Sequence, residues 1–90
     1  MPLSLLQKRI LRWLYAEYFR TPRSTRPAYE DLVASLPYAP ASITRSLQRL
    51  ARRDLVHLTR SAEGYIQSVQ LTAAGHFRVW LLGTNGSQEH

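Results

Sequence analysis

The sequence has no cysteine. That absence excludes disulfides and thiolate zinc sites, and it is compatible with a reducing cytosol. Long apolar runs are missing as well. None approaches the ~20 residues that span a bilayer. Lys8, Arg9 and Arg12 interrupt the apolar pattern near the N-terminus, which therefore does not read as a signal peptide. There are four glycines and no glycine-rich phosphate loop. His57, His76 and His90 are scattered, without ligand spacing or an acidic neighbour in sequence. Neither a metal site nor a cofactor is expected. The histidines, serines and acids form no hydrolase-like pattern, so an enzyme is not expected either. Acids are few, six against twelve Lys and Arg, and Lys8 is the single lysine.

What remains is a short, apolar, arginine-rich chain. Ninety residues with 44% hydrophobic content suffice for one folded domain. A chain this short buries roughly 60% of the surface its unfolded form exposes. Its net charge is +6 and its pI about 10.5. The charge is uneven. Residues 1–27 carry +5, residues 28–53 carry +2, and residues 54–90 carry −1. Arginine offers a planar fork that suits phosphates and guanine edges. A small basic domain of this kind is a nucleic-acid candidate. A basic surface that serves only solubility is the plainer alternative.

Hydrophobic spacing orders the elements. Leu3, Leu6, Ile10, Trp13 and Leu14 repeat at helical spacing, widened by Leu11, Tyr15 and Tyr18, and predict a first helix from about Ser4 to Phe19. "RTPRSTRP" breaks that pattern and reads as a loop. Pro27 suits the first position of a second helix over "AYEDLVASL". Glu30 and Asp31 fall in its first turn, where the helix dipole favours acids. Pro37 ends it. "PYAP" is a short connection. A third helix is expected over about 41–53, with Ile43, Leu47 and Leu50 as a narrow apolar stripe. At ~100° per residue, Ala41, Arg45, Gln48 and Arg52 lie opposite that stripe, flanked by Arg49 and Thr44.

After Asp54 the period becomes two. "LVHLTR" alternates Val56 and Leu58 with His57 and Thr59. "SAEG" is a turn. "YIQSVQLT" sets Tyr65, Gln67, Val69 and Leu71 on one face, and Ile66, Ser68 and Gln70 on the other. These strands form a hairpin over about 55–72. Thr72 can cap a last helix, in which Phe77, Trp80 and Leu81 supply an apolar side. The predicted organisation is a single domain over residues 1–82 with a flexible tail over 83–90.

Helix, helix, tight turn, helix, hairpin, helix is a mainly α arrangement with a small β-hairpin. Two helices joined by a tight turn form a helix-turn-helix, whose second member can enter a major groove. A hairpin directly after it is a wing. The stretch "SITRSLQRLARRDLVHLTRSAEGYIQSVQLTAAG" resembles the winged helix-turn-helix of MarR-like bacterial transcriptional regulators. The corresponding elements are Thr44-Arg45, Leu47, Leu50, Asp54-Leu55-Val56, the turn from Arg60 to Glu63, and Leu71-Thr72-Ala73-Ala74-Gly75. The similarity covers about residues 28–76. Asp54 stands where the family usually has glycine, which implies a left-handed backbone that Asp tolerates better than most residues. Family members usually also have longer terminal helices, which form the dimer and the effector pocket. The resemblance therefore implies the DNA-reading module, and an effector is not specified.

The expected function is sequence-specific binding of double-stranded DNA by a transcriptional regulator. Ser42, Thr44, Arg45, Gln48, Arg49 and Arg52 are the candidates for the major groove. Arg suits guanine and Gln suits adenine. Arg53, like Arg52, also suits a phosphate or the helix C-terminus. Arg60 and Tyr65 on the wing, and Arg23 and Arg26 in the loop, are the other DNA candidates. Each has a plainer counterpart: a solvated helix face, an exposed hairpin turn, a half-buried tyrosine, or solvated loop charge. Trp13, Tyr18, Trp80 and Leu81 are either core or the contacts of a homodimer. No membrane association is expected. A cytoplasmic, nucleoid-associated protein of a prokaryotic or viral host fits this reading. The competing functions are a protein-interaction winged helix and the DNA-binding module of a replication or partition complex.

Overall fold

The computed structural model describes residues 2–20 and 27–85, with side chains described through Gly83. Its elements are α1 (Leu5–Arg20), α2 (Tyr29–Ser35), α3 (Pro40–Arg52), β1 (Val56–Arg60), β2 (Ile66–Leu71) and α4 (Ala73–Asn85). Four helices and a two-stranded antiparallel hairpin make a winged helix fold in the expected order.

A reciprocal cap starts α1. Ser4 N–H donates to Gln7 Oε1 at 2.9 Å, and Gln7 N–H donates to Ser4 Oγ at 3.1 Å. This capping box satisfies two donors that a helix start otherwise leaves open. It also explains how Gln7 can be buried. Ile10, Leu11 and Leu14 follow on the buried face.

Pro27 does not begin α2. Ala28 is the N-cap, and Pro27 lies ahead of it. Ala28 is extended, and both residues join the hairpin: Ala28 bridges Ser68, and Val69 N–H donates to the Pro27 carbonyl at 3.0 Å. Proline lacks an N–H, but here only its carbonyl is used, at an edge. The third helix starts at Pro40, one residue earlier than the apolar stripe alone suggests. Proline at its first position needs no N–H partner and already has helical φ.

Ile43, Leu47 and Leu50 are fully buried against α1, β1 and the other core residues. Asp54 then takes φ 58°, the left-handed conformation that ends the helix. Its carbonyl accepts a hydrogen bond from the Thr72 hydroxyl, and Leu55 O accepts from Thr72 N–H at 3.1 Å. Thr72 Oγ1 also accepts from Gly75 N–H at 3.0 Å, so it caps α4 as expected. A Cβ on Gly75 would lie 2.1 Å from Leu55 O. Only glycine allows α4 to pass the backbone ahead of β1 this closely.

The hairpin register departs from simple alternation. Leu58 faces Val69 and Thr59 faces Ser68, but Arg60 faces Ile66, so Gln67 is an extra residue. This bulge reverses the facing beyond it. Ile66, expected opposite Val69 and Leu71, packs partly against the core, and Tyr65 and Gln67 are exposed. α4 differs too. It turns Gly75 and Val79 inward, with Leu82 partly buried beside them, while Phe77 and Trp80 are 59% and 56% exposed. It also continues past Leu82 to Asn85. The remainder of the expected tail, residues 86–90, lies outside the described residues.

Candidate nucleic-acid interface

The outer face of α3 carries three arginines and no acid, and Arg53 follows at its C-cap. The apolar stripe fixes the helix roll, so Arg45, Arg49 and Arg52 are exposed, and Ser42 and Gln48 are partly exposed. No described acid or carbonyl engages the side chains of Arg45, Arg49, Arg52 or Arg53. Their donors therefore face solvent, and four full positive charges lie along one helix and its cap.

Thr44 is placed differently from its neighbours. Its Oγ1 lies 2.7 Å from Tyr29 Oη, so the hydroxyl ties α3 to the start of α2. Tyr29 Oη is also 3.4 Å from the Pro40 carbonyl. The tyrosine thus sets the angle at which the front of α3 is presented. In sequence, Tyr29 shares one side of the second helix with Leu32, Val33 and Leu36, and its hydroxyl gives no periodic signal.

The wing stands beside this helix. Two clefts lie between them. Gln48, Arg52, Leu58 and Arg60 line one, and Tyr29, Thr44, Arg60 and Tyr65 line the other. Arg60 belongs to both. Its Nη1 donates to Gly64 O at 3.0 Å, which closes the wing turn with Gly64 at φ 92°. Its remaining donors are exposed. Tyr65 is 75% exposed at the tip, so it is not the half-buried hairpin residue considered as an alternative. The structure thus brings Ser42, Arg45, Gln48, Arg49 and Arg52 onto one surface, with Arg60 and Tyr65 beside it. Arg23 and Arg26 lie outside the described residues.

The opposite flank is aromatic. Tyr18 contacts Phe19 and His76, with centroids 5.2 and 4.5 Å away, and Phe77 stacks on Trp80 at 5.9 Å. A shallow groove between α1 and α4 is lined by Tyr15, Ala16, Val79 and Trp80. Of the four candidate dimer residues, Tyr18 and Trp80 are exposed, Leu81 is partly exposed, and Trp13 packs against the core. Among the described residues no cluster of three or more His, Asp or Glu gathers, and no helix is long and apolar enough to cross a membrane.

No protein-family model and no curated protein matches the sequence. Solved structures do match the fold. MepR, a transcription regulator of the Staphylococcus aureus multidrug efflux pump MepA, superposes with a TM-score of 0.77 at 18% identity over 97% of this chain and 60% of that one. The S. aureus MepR–DNA complex gives 0.73 at 18% identity, over 97% of this chain and 67% of that one. Lactococcus lactis ZitR gives 0.72 at 18% identity, over 99% and 56%. The chain spans about three-fifths of the length of these structures. These neighbours are winged-helix regulators of the MarR family. The chain has their winged helix-turn-helix fold.

Proposed function

We propose that the chain is a sequence-specific double-stranded DNA-binding protein that regulates transcription as a homodimer. In this reading α3 lies in the major groove. Arg45 and Gln48 reach base edges with Ser42, Arg49 stands at the edge of the groove within reach of the backbone, and Arg52 and Arg60 hold phosphates on either side. Thr44 supports the helix through Tyr29 and makes at most one further contact. Tyr65 follows the backbone beside the wing. Arg23 and Arg26 add phosphate contacts, and binding at a promoter blocks or recruits the polymerase. The work is done in the cytoplasm on the nucleoid of a prokaryotic or viral host.

The observation that carries this reading is the row of exposed arginines without protein partners on α3. A helix kept basic only for its own stability gains little from them, because exposed charge contributes little to folding. The fold adds support, since one protein that shares it is seen in complex with DNA. The homodimer rests on the aromatic flank of α1 and α4, where Tyr18 and Trp80 are about half exposed (49% and 56%). That flank is also what favours a second reading, a winged helix that docks another protein.

Selection of bound duplexes from a random pool, with the mass of the complex recorded, tests the proposal. A recovered motif with two half-sites one helical turn apart, bound by two chains, is the expected result. Binding should also weaken steeply with salt. A pool that returns no enriched sequence, or an interaction indifferent to salt, contradicts it.

A further inference from the structure

We infer that the cleft between the start of α1 and the arginine end of α3 is a binding site for a backbone phosphate of duplex DNA, so that the start of α1 sits on the nucleic acid. The inference rests on the DNA-binding reading above and deepens it. Pro2 and Ser4 stand on one wall of this cleft, and Arg49, Arg52 and Arg53 on the other. No acid lines it, and no described residue engages the three guanidinium groups. On the facing wall Gln7 Oε1 and Ser4 Oγ already accept hydrogen bonds from the N–H groups of Ser4 and Gln7. The arginines are therefore left for something that is not in this chain.

Their purpose is not exhausted by the helix end. Cations near a C-terminus complement the helix dipole, and one or two achieve that. Three around a shared opening repel one another, and their convergence calls for an anion between them. The guanidinium fork matches a phosphate in two parallel hydrogen bonds. Distance supports a DNA phosphate in particular. Arg45 on α3 and Arg53 at its C-cap are eight residues apart, which at 1.5 Å per residue is about 12 Å. That is about the width of the major groove. A helix whose front half reads base edges therefore brings its last turn to the flanking backbone.

Duplex binding measured over a salt series tests this, using the parent chain, the double variant R49A/R53A, and Pro2→Glu. The double variant should bind every duplex about tenfold more weakly, as expected for one lost charge-assisted contact. The slope of log affinity against log salt should fall by about one phosphate equivalent. Pro2→Glu keeps every arginine and sets an acid opposite them. It should weaken binding without lowering the melting temperature, since an acid ahead of α1 suits the helix dipole. A merely structural role for the arginines leaves that second variant unaffected in binding. If both variants bind with the parent's affinity and slope while Arg45→Ala still shifts base preference, the cleft is off the DNA and the inference fails alone. If the parent binds no duplex at any salt, the DNA reading fails with it. Saturation of the cleft by micromolar inorganic phosphate, with duplex affinity unchanged in R49A/R53A, makes it a free-anion site and likewise overturns the assignment.

Discussion

The two exposed flanks of this molecule share one core but differ in chemistry. On the α3 flank, Arg45, Arg49, Arg52 and Arg53 have no described side-chain partner, and the clefts beside them hold Gln48, Tyr29, Glu30 and the wing residue Arg60. On the α1–α4 flank, rings contact rings, and Phe19, Phe77 and Trp80 remain more than half exposed. An arginine surface stays soluble and attracts a polyanion from a distance. An aromatic surface does neither, and gains only by close contact with something equally apolar. In the proposed function each flank has its own occupant, nucleic acid on one and a second chain on the other. The difference teaches that charge and aromatic content are to be read separately along the sequence, because each suits a different kind of contact.

Substitutions in the shared core should break both flanks together. Leu47→Ala removes a fully buried side chain beneath the centre of α3. It should cost about 3 kcal/mol of stability in chemical denaturation, with loss of DNA binding and of self-association. Gly75→Ala drives a Cβ into Leu55 O. Backbone has to move there, so a cost of about 2 kcal/mol is expected, measured the same way.

Surface substitutions should separate the flanks. Arg45→Ala should lose about 1–3 kcal/mol of discrimination at one or two base pairs, read by competition between duplexes, with the melting temperature unchanged. Trp80→Lys should raise the dimer dissociation constant about tenfold, the equivalent of 1.4 kcal/mol. Analytical ultracentrifugation reads it, and binding to a single half-site should persist. If Trp80→Lys instead abolishes half-site binding at intact stability, the flanks are not independent. The smallest effect is expected at Asp54. Asp54→Gly relieves the left-handed backbone at φ 58° and should stabilise by about 0.5–1 kcal/mol, without altering either surface.

How far the sequence could be read depended on what each element buries. The third helix was legible because Ile43, Leu47 and Leu50 leave one roll angle that hides all three. The cap at Thr72 was legible as a local backbone requirement, and the left-handed Asp54 was implied by the resemblance, which sets it where glycine usually stands. The last helix was misjudged. Large side chains drew attention to Phe77 and Trp80, yet the inward face consists of Gly75, Val79 and Leu82, and it is Gly75 that permits the close approach to Leu55. The hairpin faces beyond Ser68 were hidden by the extra residue Gln67, which no alternation pattern reveals. Proline at position 27 signalled a helix start, while its carbonyl was needed at a strand edge. The site residues on α3 follow from the stripe by geometry. The tie between Tyr29 and Thr44 does not, because it joins residues fifteen apart through a turn.

The tight crossing of Gly75 over Leu55 has a mechanical consequence. Where a backbone carbonyl and a helix touch with no side chain between them, there is no soft layer to absorb a tilt. The final helix and the hairpin base should then swing as a single lever. In a symmetric pair of chains joined through that helix, the span between the two hairpin tips would be dictated by the angle at which the helices cross. A change of spacing between half-sites would have to be engineered at the joint, far from any nucleotide.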